Sequence, residues 1–260
     1  MSKALLAVSF GTSLKETRRA TIERIEADLA AAFPERTCYR AWTSGFIRRK
    51  LQKQEGLTID SVEEALARLA AAGATDLLVQ PTHLLIGEEY GLLREALLAA
   101  GGSFETIRLG APLLSTADDI SRLAAVLGDI FADVRKDEML GLMGHGSAAL
   151  TGNPYLKLDA ELKAQGHANF CVGTVEEEPG FAPLLAQAEA SRPRLIRLAP
   201  LMVVAGDHAH NDMAGLDDDS WKSRLEQAGF TVACDLRGLG EYAPLRQLYI
   251  EHARAAAPLA

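Results

Sequence analysis

The chain reads as an α/β protein of two similar lobes built on parallel sheets, and three observations predict this. Short apolar, β-rich runs alternate with longer segments of helical period; the alternation restarts near residue 138; and the halves carry related motifs in the same order. A repeated strand-then-helix order implies parallel pairing through right-handed crossovers.

The elements follow in order. KALLAVSF is a first strand, and Ile22, Ile25, Leu29 and Phe33 then fall at helical spacing until Pro34 stops the helix, with Ser13 and Glu16 as a capping box at its start. RTCYRAW is the second strand, Asp60 and Glu63 open a helix that Gly73 closes, and TDLLVQPTH is the third strand. A helix through GLLREALLAA, the strand FETIRLG and a helix near 116–134 complete the first half. The second half repeats the order: MLGLMGHG, a helix opened by Asn153 and Pro154, NFCVGTVE, a helix through PLLAQAEA, RLIRLAPLMVV, a helix near 219–228 and FTVACDLRG.

Laid on each other, LLAVSFGTS and LGLMGHGSA place Phe10 on His145 and Gly11 on Gly146. QPTHLLIGEEY and APLMVVAGDHA place Pro81 on Pro200, Gly87 on Gly206 and Glu89 on His208. Ser44 falls on Glu176, and Leu109-Gly110 on Leu239-Gly240. The expected lobes are residues 1–135 and 136–260, joined by the charged turn ADVRKDEM without a flexible linker, so tight packing of the lobes is expected.

A chain of 260 residues, 48% hydrophobic and 24% charged, is long enough for one large core or two medium ones. Its first apolar run stops at Ser9, too short for a secretory segment or a membrane span, so a cytoplasmic protein without a membrane partner is expected. Cys38, Cys171 and Cys234 show no CxxC spacing, which argues against a disulfide scaffold or a cysteine zinc site. A net charge of −8 argues against nucleic acid as partner. One basic cluster stands against that charge: Arg48, Arg49, Lys50 and Lys53.

Ligands of open parallel sheets sit beyond the carboxyl ends of the strands. The polar residues falling there are Ser9, Gly11, Thr12 and Ser13; Thr43 and Ser44; His83, Glu88 and Glu89; His145; Glu176 to Glu178; and Asp207, His208 and His210. Two histidines and a carboxylate suit a borderline-soft divalent metal. Plainer readings exist for each part: a structural histidine after a strand, glycines that permit a tight turn, and acids at a helix N-terminus. His208, His210 and Asp212 also form an HxHxD pattern of dinuclear metallohydrolases, but only His252 follows downstream. SFGTS and GHGSA lack the P-loop and GxGxxG forms, and Ser9, Ser13 and Ser147 lack a GxSxG elbow.

Together, VSFGTS, AWTSGFIRRKL, THLLIGEEY, MGHGS, GTVEEEP and PLMVVAGDHAHNDMAG followed by DDDSWK resemble the anaerobic cobalt chelatases of cobalamin biosynthesis, class II chelatases related to ferrochelatase. The resemblance implies two Rossmann-like lobes with four-stranded parallel sheets, pseudo-twofold related, with an active-site cleft between them. It implies ATP-independent insertion of Co2+ into sirohydrochlorin, with Fe2+ or Ni2+ as alternative metals and no permanently bound cofactor. Position by position, His145 and His208 match the active-site histidines, Glu176 an acidic metal ligand and Glu89 a further acid near the substrate; His210 departs from the family pattern.

Metal insertion needs a base for two pyrrolic protons and exchangeable ligands for the metal. Neutral imidazole serves both purposes, which makes His145 and His208 the candidates, with Glu176 balancing the metal's charge and Glu89 relaying protons. Arg48 or Arg49 would meet substrate carboxylates. Ser9, Gly11, Thr12, Thr43 and Ser44 would bind others, and Phe10 and Leu85 would offer apolar surface to the ring. A carrier of tetrapyrrole or metal without turnover is the alternative of another class, and a homo-oligomer is left open.

Overall fold

The computed structural model describes residues 2–146 and 152–259, so Ser147 lies outside the described residues. The first elements are β1 (Ser2–Ser9), α1 (Lys15–Ala20), α2 (Ile22–Ala32), β2 (Thr37–Trp42), α3 (Gly45–Glu55), α4 (Val62–Ala71), β3 (Ala74–Pro81), α5 (Glu88–Ala99) and β4 (Thr106–Leu109). They are followed by α6 (Ala117–Ile130), β5 (Glu138–Gly144), α7 (Pro154–Ala164), β6 (Phe170–Thr174), α8 (Ala182–Ser191), β7 (Leu195–Pro200), α9 (Trp221–Gln227), β8 (Val232–Cys234), α10 (Ala243–Arg254) and β9 (Ala257–Pro258).

The chain divides into two compact units, Met1–Ser115 with Ala243–Ala260, and Thr116–Tyr242. The sheet of the first unit has the order β2-β1-β3-β4-β9 and that of the second β6-β5-β7-β8. Strands β1 to β4 and β5 to β8 are parallel within each sheet and share one order, with the chain reversing direction across the sheet between β1 and β3 and between β5 and β7. Such switch points are where doubly wound sheets bind ligands.

The central strands explain their own position. β1 is buried from Ala4 to Ser9 and β5 along its whole length, as a strand covered on both faces requires. Around β1 and β3, Leu6, Val8, Leu77 and Val79 pack with Leu66, Leu69, Leu93 and Leu97 of α4 and α5. In the second unit, Met139, Met143, Ile196 and Leu198 pack with Leu184, Leu225 and Trp221.

The structure corrects several sequence expectations. The unit boundary falls before α6 rather than at 135/136, and the chain end returns to the first unit. There Tyr249 of α10 donates to the Thr82 carbonyl at 2.7 Å and Arg246 meets Asp28 at 2.6 Å. The first sheet gains a fifth strand, since β9 pairs antiparallel with β4. Ser13 and Glu16 form no capping box: α1 starts after Leu14 without a side-chain cap, and Glu16 pairs with Arg19. α4 opens one residue later than expected, with a capping box on Ser61 and Glu64 in place of Asp60 and Glu63, a device worth about 1 kcal/mol. The basic stretch is a helix in its own right, α3, whose only buried side chain is Leu51.

All three cysteines are free. Burial raises the thiol of Cys38 to about 11 and that of Cys171 to about 12, in keeping with a packing role. No helix among the described residues is long and apolar enough to cross a membrane.

His83, just beyond β3, has both ring nitrogens sealed from solvent and without a hydrogen-bond partner among the described residues. Burial lowers its pKa to about 4. An unfolded chain would protonate this ring below about pH 6.5, whereas the folded chain resists until about 4, so its contribution to stability is present at neutral pH and lost on acidification. Chemical denaturation from pH 7 to 4.5 should show the native chain losing about 2–3 kcal/mol more than His83→Phe; equal losses would contradict this.

Candidate metal centre

β5 and β6 pair in register up to Gly144 and Thr174, and the pairing does not stop there. Val175 N–H donates to Gly144 O at 2.9 Å and Glu176 N–H donates to His145 O at 2.8 Å. His145 and Glu176 are therefore set side by side by backbone. Gly146 permits the approach: its φ is +92°, and a Cβ there would lie 1.8 Å from the Glu176 carbonyl oxygen. Tyr155, at the start of α7, fills the space over Gly144, and its hydroxyl accepts from Gly146 N–H at 3.4 Å. Burial pushes that phenol up to about 12.

The loop carrying Glu176 is tied at both ends. Thr174 Oγ1 donates to Glu177 O at 2.8 Å and accepts from Gly180 N–H at 3.0 Å, while Asn153 Nδ2 donates to Glu178 O at 2.7 Å. The acidic run thus belongs to the β6–α8 loop and not to the first turn of α8.

His208 arrives from β7. Leu201 N–H donates to Met143 O at 2.7 Å, and the chain then enters a single π turn, Ala209–Met213, immediately after His208. His145, Glu176 and His208 offer ligand atoms that all lie within 4.8 Å of one another. The imidazole rings stand nearly perpendicular at 87°, centroids 4.8 Å apart.

His145 Nδ1 lies 2.9 Å from Gly146 O, and His208 Nδ1 lies 2.7 Å from Asp212 Oδ2. Both contacts call for an N–H on Nδ1, which leaves Nε2 of each ring with its lone pair. Side-chain exposures of 48% for His145, 58% for Glu176 and 37% for His208 describe an open site rather than the closed cage of a structural metal. His210 is exposed, stands about half a turn from His208, and does not join the group.

The first unit repeats this backbone without the chemistry. Thr43 N–H donates to Ser9 O (3.0 Å), Ser44 N–H to Phe10 O (3.2 Å) and Thr82 N–H to Val8 O (2.8 Å), matching the bonds of Val175, Glu176 and Leu201. Gly11 keeps a φ of +104°, and a Cβ on it would meet the Trp42 ring at 2.5 Å. Phe10 thus occupies the place of His145, and Ser44 that of Glu176. The fourth-strand alignment is corrected: Gly110 N–H to Val79 O matches Asp235 N–H to Leu198 O, and Leu113 and Leu114 match Leu239 and Gly240.

The other sequence candidates lie in this first unit. Ser9 Oγ accepts from Thr82 at 2.9 Å, Thr12 Oγ1 accepts from Leu14 N–H at 3.2 Å, and Ser44 caps α3 by accepting from Ile47 N–H. Arg48 is engaged with Ile59 O and, at 2.7 Å, with Glu64, whereas Arg49 is exposed and forms no ion pair among the described residues. The Thr43 hydroxyl is buried without a partner among the described residues, Phe10 is 48% exposed, Leu85 bridges to Leu114, and Glu89 lies in the first turn of α5.

The family model described as cobalt chelatase (CbiK) matches residues 3–258. A sirohydrochlorin cobaltochelatase of Salmonella typhimurium is 39% identical over 260 residues, covering 100% of this chain and 98% of that protein. The chain belongs to the cobalt chelatase family. A second family relative, sirohydrochlorin cobaltochelatase CbiKC of Nitratidesulfovibrio vulgaris, is 33% identical over 258 residues, covering 98% of this chain and 90% of that protein. Among solved structures, the chelatase fold is shared with SirB from Bacillus subtilis with Fe3+. The TM-score is 0.65 at 14% identity, over 98% of this chain and 95% of that one. CbiX, the terminal enzyme of siroheme biosynthesis in denitrifying bacteria, gives 0.58 at 20% identity, over 98% and 100% of the two chains.

Sequence reasoning overlooked Tyr155 and read Asp212 only as part of an HxHxD ligand set. The spacing of His208 and Asp212, four residues apart, was the available signal.

Gly146→Ala combines strain with collision, while Gly166, with φ +98° and open space around it, isolates the strain alone. Gly166→Ala should cost about 1–2 kcal/mol in urea unfolding and leave Co2+ binding intact. Gly146→Ala should cost more and weaken Co2+ binding at least about tenfold by displacing Glu176; equal behaviour of the two variants would contradict the close-approach argument.

Proposed function

We propose that the chain catalyses ATP-independent insertion of Co2+ into sirohydrochlorin, with His145, Glu176 and His208 holding the ion on its way to the macrocycle. The observation that carries this reading is the convergence of two imidazoles and one carboxylate, with one ligand atom of each within 4.8 Å of the others, on an open surface of a fold belonging to this family. Three protein ligands leave coordination positions for pyrrole nitrogens, whereas a closed tetrahedral set would trap the ion.

The reaction replaces two N–H protons of the tetrapyrrole by one Co2+ and releases both protons. The first imidazole to give up the metal becomes free to accept one proton, and the second ring accepts the other as its own bond to the ion is replaced by a pyrrole nitrogen. Glu176 offsets the charge of the incoming ion. Glu89, the residue that aligns with His208 in the sequence repeat, serves in this proposal as a further acid that carries protons to solvent. The metal itself is substrate, and no resident cofactor is invoked.

A tetrapyrrole rich in carboxylates needs local positive charge on a chain of net charge −8. Arg49 supports that role because no ion pair among the described residues occupies it; Arg48 is engaged with Glu64 and enters only if that pair opens. Phe10 and Leu85 offer apolar surface to the macrocycle, and Gly11, Thr12 and Thr43 offer backbone N–H and hydroxyl groups. Ser9 and Ser44 have their hydroxyls engaged and are proposed to act through backbone alone.

The test is an anaerobic absorbance assay with purified chain, excess sirohydrochlorin and Co2+, Fe2+ or Ni2+ at matched free concentrations. The proposal predicts multiple turnovers, fastest with Co2+, and a fall of about 100-fold or more for His145→Ala and for His208→Ala, with unchanged melting curves. A reaction that stops at one equivalent would identify a carrier instead, and near-native turnover in either variant would remove that histidine from the mechanism.

A further inference from the structure

The two histidines are held by different means. His145 Nδ1 meets a backbone carbonyl, whereas His208 Nδ1 meets a carboxylate, Asp212 Oδ2, at 2.7 Å. We propose that Asp212 is a positioning residue that fixes the tautomer of His208 and aims its Nε2 into the His145–Glu176–His208 centre. The inference rests on the reading of that centre as the place where Co2+ is held.

A neutral imidazole has one N–H and one lone pair, and the contact made by one nitrogen decides which atom carries the lone pair. An ionised carboxylate only accepts, so it stabilises N–H on Nδ1 and reserves Nε2 for metal. Carboxylates in this position also raise the donor strength of the ligating nitrogen. No other carboxylate takes this part for the pair among the described residues: Glu176 Oε2 is 3.9 Å from His145 Nδ1, beyond a hydrogen bond.

The backbone makes the contact dependable although both side chains are partly exposed, 37% for His208 and 47% for Asp212. The π turn between them is closed by Ala214 N–H to Ala209 O at 3.2 Å and Gly215 N–H to Asn211 O at 3.0 Å. Ala209 and Met213 anchor the turn in the core of the second unit. Isolated π turns of this kind recur at functional sites. The HxHxD pattern thus splits in space: Asp212 faces the back of His208, and His210 stands apart.

The test uses the whole chain without tetrapyrrole, titrated with Co2+ and followed by the visible d–d absorption of the bound ion. Asp212→Ala should weaken binding about 10–100-fold without moving the melting curve of the metal-free protein, and Asp212→Glu should recover most of the loss. In a His208→Ala background, Asp212→Ala should cause no further loss. Should the alanine variant shift the melting curve, Asp212→Asn keeps the shape and is read in the same way. Binding within about twofold of the parent chain would overturn the proposal, as would a further tenfold loss in the His208→Ala background, which would make Asp212 a ligand in its own right. If His145→Ala and His208→Ala both bind Co2+ like the parent, the reading of the centre fails; if they lose binding and Asp212→Ala does not, only the role of Asp212 fails.

Discussion

Two backbone hydrogen bonds past the ends of β5 and β6 hold the candidate site together. The bond from Glu176 N–H to His145 O, 2.8 Å, brings a carboxylate and an imidazole together although their side chains, 3.9 Å apart at Nδ1 and Oε2, share no hydrogen bond. It requires Gly146, because the Glu176 carbonyl occupies the space that any side chain there would need. The ligand side chains are exposed, and exposed side chains gain little from each other. Their relative placement is therefore set by main chain that is anchored in a buried sheet.

The same backbone occurs twice. In the first unit the equivalent bonds run from Thr43 and Ser44 to Ser9 and Phe10, and the equivalent glycine, Gly11, keeps its positive φ. There the side chains are an aromatic ring and a helix-capping serine, neither suited to a divalent metal. A duplicated scaffold has kept its geometry in both copies, and the metal-ligand chemistry stands in one.

Much of this was legible in the sequence because it is carried by period and by strand-end position. Apolar runs marked β1 and β5 as the first strand of each half, and the alignment of SFGTS with GHGSA anticipated both glycines and the Phe10–His145 correspondence. The alignment failed at the fourth strands, where Gly110 matches Asp235, because Leu-Gly pairs are common and carry no geometric constraint. α10 escaped notice behind an alanine-rich ending, although Leu245, Leu248, Tyr249 and His252 mark a buried helical stripe. α3 escaped because it buries one residue. Asp212 was visible as a spacing, but only the π turn shows that it faces His208 from behind.

The central claim is that one Co2+ is held by His145, Glu176 and His208. Anomalous diffraction at the cobalt edge from crystals of the whole chain with Co2+ measures this directly. The account predicts a single strong peak about 2.0–2.2 Å from both Nε2 atoms and from a Glu176 oxygen. A peak ligated by His210 and Asp212 instead, or none near His145, would contradict it.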